Sequence, residues 1–532
     1  MDKIIVSDKL SPEGIKILEE AGFKVDCKYK LSPAELKEII GDYQGIIIRS
    51  GTKLTGDVIE KADNLKVIGR AGVGLDNVDI EAATKKGIIV MNAPGGNTIA
   101  TCEQTFALML AVARNIPFAH ISLKSRKWER SKFKGTELYS KVLGIIGLGR
   151  IGKELAKRAI AFGMTVLVSD PFVSEDVAEK IGVKLVELEE IYEHADFITV
   201  HTPLTDETRN LISDSEFLKM KPSVVVINCA RGGIINEKAL QKALEEKKIA
   251  GAALDVYSQE PPFDSPLLES DNLIATPHLG ASTEEAQVNV AIEVAHCIKD
   301  ALLGKAIKNA VNYAQLDSET YKIIEPYFNL AESMGKFISQ LIKGGTKEIK
   351  ISYHGDISTY KVDVIGAAFV RGFLSQQLEK GINYINALEV AKERGIKIEQ
   401  VKVSDEEEYV NCIRAKVLTD KEERFLEGTL FANKEARFVK VDDVYTEVAP
   451  TEFMAVINNR DKPGVIGFLG TTLGACGVNI AGMSLGRRTL TTAGSGGRTA
   501  LTILNLDSSL TEDAISRIKA NPDIISLKVV KL

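Results

Sequence analysis

Hydrophobic positions in the first ninety or so residues fall into two alternating patterns. Short apolar runs, KIIVSD (3–8), FKVDC (23–27), GIIIRS (45–50), LKVIG (65–69) and IIVMN (88–92), are separated by segments with helical spacing such as SPEGIKILEEAG (11–22), SPAELKEIIGD (32–42) and TGDVIEKAD (55–63). Strands alternating with amphipathic stretches predict parallel βαβ units. A long apolar helix follows, roughly Thr98 to Arg114, and the alternation then restarts at KVLGIIGLGRIG (141–152). It continues through TVLVSD (165–170), DFITVHTPL (196–204), SVVVINCARGG (223–233), IAGAALDVY (249–257) and NLIATPHLG (272–280). A second long helix, about Glu284 to Leu303, is placed to return to the first unit. The division expected is therefore a discontinuous first domain, 1–96 with 285–313, and a second domain, 97–284, with a ligand cleft between them.

Beyond residue 313 the character changes. Residues 314–449 read as strands and helices without nucleotide signals. From 450 to 532 the order is strand, helix, strand, strand, helix, strand, the ferredoxin-like arrangement. A polar, glycine-rich stretch, TLTTAGSGGR (489–498), joins two of those strands. The fold class expected is α/β: two Rossmann-like doubly wound domains, then an α+β intervening domain and a ferredoxin-like domain.

Composition narrows the classes without choosing among them. The 532 residues exceed one ordinary core, and 45% hydrophobic with 26% charged residues is a soluble globular balance. A net charge of −6 offers no basic face for nucleic acid. No window approaches the roughly 18 apolar residues of a membrane span, and the N-terminus lacks a signal-peptide core. Cys27, Cys102, Cys229, Cys297, Cys412 and Cys476 are too scattered for a metal site or a disulfide framework. No metal, no nucleic acid, no membrane and a reducing cytoplasm are the expectations.

Two motifs carry chemistry. Gly147, Gly149 and Gly152 form a GxGxxG directly after the apolar strand VLGII and open the helix that follows. The first glycine permits the turn, the second admits a pyrophosphate, and the third lets helix and strand pack. The next strand ends at Asp170, 18 positions beyond Gly152, where a carboxylate binds the ribose hydroxyls of NAD and repels the 2′-phosphate of NADP. Separately, Arg231, Glu260 and His278 each follow a strand of this unit, on the edge where ligands bind. Oxidation of a 2-hydroxy acid needs a cation for the carboxylate, a base for the hydroxyl proton and a group that tunes the base. Singly, each residue also has a structural explanation, and spacing alone does not bring the three together.

GRAGVGLDNVD (69–79), WERSKFKGTEL (128–138), LGIIGLGRIG (143–152), FITVHTPLTDETRNLI (197–212), NCARGGIINE (228–237), GAALDVYSQEPP (251–262) and TPHLGASTEEAQ (276–287) resemble the D-isomer-specific 2-hydroxyacid dehydrogenases. The resemblance spans residues 1 to about 310 almost continuously. It implies that His278 is the acid/base, Glu260 its partner and Arg231 the ligand of the substrate carboxylate. It also implies an NAD site lined by Arg150, Ile151, Asp170, Thr202, Cys229, Ala230 and Asp255, with Asp255 meeting the nicotinamide carboxamide. Arg231, His278, Leu279, Gly280 and Ala281 complete that lining.

A phosphorylated substrate needs further cations. Arg49, Ser50 and Lys53 follow GIIIR, and Arg70, Ala71 and Gly72 follow LKVIG, so both groups are placed to face the cleft. In the family resembled, matching basic residues bind the phosphate of 3-phosphoglycerate. Arg130 and Lys132 are candidates to reach a neighbouring subunit's site in a homodimer or homotetramer. NRDKPGVIGFLGTTLGACGVNIAGMSLGR (459–487) resembles an ACT domain, which in related dehydrogenases binds L-serine across a subunit interface. Asn459, Asp461 and Asn479 hold the matching positions, although only Asn479 keeps the commonest residue type. The rival readings are a sister enzyme, such as a hydroxypyruvate/glyoxylate reductase, a 2-hydroxyglutarate dehydrogenase or a D-lactate dehydrogenase, and a non-enzymatic NAD-sensing corepressor. The C-terminal 220 or so residues weigh against the sister enzymes, and the Arg231, Glu260 and His278 set weighs against the corepressor.

Overall fold

The computed structural model describes residues 2–305, 307–313, 318–378, 382–404, 409–432, 434–488 and 498–532. The glycine-rich stretch 489–497 lies outside the described residues. The apolar runs of the first ninety residues form strands β1 (Lys3–Val6), β2 (Lys24–Cys27), β3 (Gly45–Ile48), β4 (Val67–Arg70) and β5 (Ile89–Asn92). They make one parallel sheet in the order β2-β1-β3-β4-β5. β3 is buried along its whole length, as a strand covered on both faces must be. The helix Glu284–Leu302 returns from the second half of the chain and buries Val290, Val294 and Ile298 in the core of this sheet.

The second parallel sheet comprises β6 (Val142–Ile146), β7 (Thr165–Ser169), β8 (Lys184–Leu185), β9 (Phe197–Val200), β10 (Val225–Asn228), β11 (Gly251–Leu254) and β12 (Leu273–Ala275). Its order is β12-β11-β10-β9-β6-β7-β8. Strand order reverses between β6 and β9 here, and between β1 and β3 in the first sheet. Such switch points open a crevice at the carboxyl ends of the strands. Thr98–Ala113 packs against this second sheet, with Cys102, Phe106 and Met109 in its core. No single helix among the described residues is long and apolar enough to cross a membrane.

The rest of the chain is a six-stranded mixed sheet covered by Ser318–Leu341, Asp363–Ser375 and Ala387–Glu393, followed by a four-stranded antiparallel sheet. The last sheet runs Phe453–Arg460, Ile480–Arg487, Thr499–Leu506 and Ile524–Lys531, with helices Val465–Ala475 and Glu512–Ala520 between strands. One face packs on those helices through Ala455, Ile457 and Leu504. The other face puts Met454, Val456, Leu501 and Ile503 into the core of the mixed-sheet domain, beside Phe337 and Phe438. Both faces of this sheet are therefore covered within one chain. The mixed-sheet domain also reaches back to the N-terminal sheet, where Asn383 donates to the Gly87 carbonyl (2.7 Å) and Asn386 to that of Lys85 (3.2 Å).

Candidate active site

The glycine turn after β6 has the form its spacing requires. Gly147 has φ +96°, and a Cβ there would sit 2.7 Å from the His201 carbonyl, so only glycine is accommodated. A Cβ on Gly152 would meet the Gly147 carbonyl at 2.3 Å, whereas Gly149 faces open space. Asp170, just past β7, accepts hydrogen bonds from the backbone N–H of Leu148 (2.7 Å) and Phe172 (2.9 Å), which sets its carboxylate beside the turn. Thr202, past β9, lies against Gly147 on the far side of the switch point. Its Oγ1, the Asn97 Oδ1 and the His201 Nδ1 are buried without a protein partner among the described residues. Open space at Gly149, an unspent hydroxyl at Thr202 and a ribose-level carboxylate fit a dinucleotide. His201 was not foreseen: burial pushes its imidazole down to about 4, so it is neutral near pH 7. Burial likewise pushes the Cys229 thiol up to about 12 and keeps it protonated.

Past β10, Asn228 folds the chain into a tight turn, accepting from Ala230 N–H (2.9 Å) and donating to the Arg231 carbonyl (2.8 Å). Arg231 Nη1 donates back to the Ala230 carbonyl (2.6 Å), and Nε lies 3.3 Å from Asp76 Oδ2 on the first domain. Gly232 presses against the turn after β11, where a Cβ would come within 2.0 Å of the Tyr257 carbonyl and 2.4 Å of Ser258 N. That second turn carries Glu260, whose Oε1 accepts from Tyr257 N–H (3.1 Å). Oε2 of Glu260 is 2.8 Å from His278 Nδ1. A carboxylate only accepts, so Nδ1 carries the hydrogen and the Nε2 lone pair is left for a proton.

Asp255 directly follows β11. It is 0% exposed, and its oxygens accept from Leu279 N–H (2.8 Å), Gly280 N–H (2.7 Å) and the Thr276 hydroxyl (2.5 Å). These bonds shape the turn that holds His278 at φ +54°.

The first domain supplies the opposite wall. Asp8, at the end of β1, accepts from Arg49 N–H (2.6 Å) and Thr52 N–H (3.1 Å), fixing the loop of Arg49, Ser50 and Lys53 at the β1/β3 switch point. Arg70 lies against Gly72, with its Nε buried and without a partner among the described residues. Burial first, then the Arg231 and Arg49 charges, push the Arg70 guanidinium down to about 10. Three guanidinium groups thus converge on one cleft. Asp8 could have been found by its place at the end of the first strand, and Asp76 by its place in GRAGVGLDNVD.

The three ACT-like positions do not meet in one chain. Asn459 is 2% exposed, its Oδ1 accepting from the Thr502 hydroxyl (2.9 Å), and Asp461 pairs with Arg487 at 2.8 Å. Asn479 donates to Asp507 (2.7 Å) at the other end of the sheet, because Asn459 is in register with Ala500 and Ile480 with Leu506. A site using both ends needs two copies. Between the mixed sheet and the last sheet lies a cavity of about 880 Å³ lined by charges of both signs, among them Lys416, Arg424, Lys440, Asp442, Asp443 and Arg488. Arg130 is exposed, and Lys132 pairs with Glu129 (2.6 Å) near the 77%-exposed Trp128.

Known proteins match this arrangement. The family described as D-isomer specific 2-hydroxyacid dehydrogenase, NAD binding domain, matches residues 106–280, and the D-3-phosphoglycerate dehydrogenase intervening domain matches 323–442. The D-3-phosphoglycerate dehydrogenase of Methanocaldococcus jannaschii is 46% identical over 533 residues, covering 100% of both chains. The Bacillus subtilis enzyme of that name is 43% identical, also covering 100% of both. Among solved structures, the NAD+-bound 3-phosphoglycerate dehydrogenase of Entamoeba histolytica aligns with a TM-score of 0.51 and 31% identity, over 59% of this chain and 99% of that one.

Proposed function

Since this chain belongs to the D-3-phosphoglycerate dehydrogenase family of NAD-binding D-isomer-specific 2-hydroxyacid dehydrogenases, we propose that it oxidises 3-phospho-D-glycerate to 3-phosphohydroxypyruvate, the entry to phosphorylated L-serine synthesis. The observation that carries this reading is a His278–Glu260 pair on one wall of a cleft whose other wall presents Arg49 and Arg70. Arg231 holds the substrate carboxylate and polarises C2. His278 Nε2 takes the hydroxyl proton as the C2–H bond breaks, and Glu260 stabilises the imidazolium that results. Bound NAD supplies the hydride acceptor. Gly149, Arg150, Ile151 and Thr202 hold its pyrophosphate end, Asp170 its ribose, and Ala230 with Leu279 to Ala281 its nicotinamide end. Asp255 acts through the His278 turn.

Arg49 and Arg70, with Ser50, Lys53 and the backbone of Ala71 and Gly72, bind the phosphate. In an NADH-fluorescence assay, kcat/KM for 3-phosphoglycerate is expected to exceed that for glycerate by at least about a hundredfold, the worth of two charge-assisted contacts. Equal values would remove the phosphate from the reading. Asp170→Ala is expected to relax the NAD-over-NADP preference by about tenfold or more, as the ribose hydrogen bonds and the repulsion of a 2′-phosphate are lost. An unchanged ratio would take Asp170 out of that role.

The last domain is read as an ACT module that pairs with a second copy and takes L-serine at Asn459, Asp461 and Asn479, the two-ended placement of these residues supporting a shared site. The helix Ile116–Lys124 exposes Ile116, Ile121 and Leu123, and Trp128 follows it 77% exposed, apolar surface that suits a second copy in a cytoplasmic homodimer or homotetramer.

A further inference from the structure

We propose that Asp76 is a positioning residue that competes with the substrate for Arg231, and so sets KM for the 2-hydroxy acid. This rests on the reading above, in which Arg231 takes the substrate carboxylate. Asp76 lies in the turn after β4, and its pair with Arg231 is the one salt bridge among the described residues that crosses from the first domain to the nucleotide domain. The arginine has little freedom. Nη1 is held by the Ala230 carbonyl at 2.6 Å, and Nη2 lies over Gly74, where a Cβ would come within 2.2 Å of it. A carboxylate gripping the guanidinium with two parallel bonds uses the Nε–Nη2 edge, and Asp76 Oδ2 already stands 3.3 Å from that Nε.

The turn itself is anchored. Asn77 donates to the carbonyls of Arg49 and Thr52, both at 2.6 Å, so the turn of Asp76 is tied to the loop that bears Arg49 and Lys53. Its charge also opposes those of Arg231 and Arg49 at Arg70. An arriving anionic substrate must displace Asp76 from Arg231 and tolerate its charge nearby. Both effects weaken binding. Asp76 is 73% exposed and Arg231 29%, so the displaced carboxylate turns into water and the competition is modest.

Steady-state kinetics on the full-length enzyme test this. Asp76→Asn is expected to lower KM for 3-phosphoglycerate about two- to fivefold, with KM for NAD unchanged, and Asp76→Glu is expected to restore the wild-type value. General damage to the fold raises KM and cannot produce this pattern. Asp76→Ser gives the same reading should the amide disturb the turn. An unchanged or raised KM in both neutral variants, with NAD binding intact, overturns the proposal. Arg231→Lys in the same assay separates the two layers. If it leaves KM for 3-phosphoglycerate unchanged, the assignment of Arg231 fails; if it raises KM while Asp76→Asn does not lower it, only the role of Asp76 fails.

Discussion

Replacing His278 with Asn is expected to cut kcat by about two to four orders of magnitude, the usual worth of a positioned acid/base, while NAD affinity stays near wild type. Asparagine suits the position because residue 278 has φ +54°, a left-handed conformation that Asn tolerates better than most residues. The turn is also held from outside the side chain, by the grip of Asp255 on the N–H groups of Leu279 and Gly280. The variant therefore removes a titratable nitrogen without moving its frame. Rapid-mixing kinetics with NAD titrations would check this. A fall in kcat of less than about tenfold would mean that another group takes the proton.

Gly232→Ala is expected to be nearly as damaging without touching any reacting group. Its Cβ would overlap the Tyr257 carbonyl, so either the Arg231 turn or the Glu260 turn must withdraw. A displacement of about 1 Å costs on the order of a hundredfold in rate, and here it separates the carboxylate ligand from the base. The expected result is a loss of at least about a hundredfold in kcat/KM, with unchanged far-UV circular dichroism and a lowered Tm. A variant within about fivefold of wild type in kcat/KM would show that the two turns need not touch.

The parts of this site that lie within one βα unit were legible in the sequence. The glycine turn, the helix it opens and Asp170 at the next strand end belong to a contiguous stretch, and local spacing determined them. The catalytic set was legible only as three separate strand ends. Glu260 meets His278 because β11 and β12 are neighbours, with Leu254 beside Ala275, and neighbourhood in a parallel sheet is not written in strand order. Asp255 shows the same limit: its place at a strand end gave no sign of the bonds it makes to the turn of His278. In the last domain the strand order was readable from the alternation. Antiparallel register, however, puts Asn479 at the far end of the sheet from Asp461, and the apolar face carrying Met454 and Val456 gave no sign of what would cover it.

The contacts of Asn383 and Asn386 with the backbone at Gly87 and Lys85 bear on how the cleft works. These side chains clasp a segment some three hundred residues earlier in the chain, and the last sheet is seated on the same mixed-sheet domain. The wall bearing Arg49 and Arg70 is thereby clamped to the C-terminal half of the molecule. The N-terminal sheet, the mixed sheet and the last sheet are thus joined by side-chain contacts as well as by the chain itself.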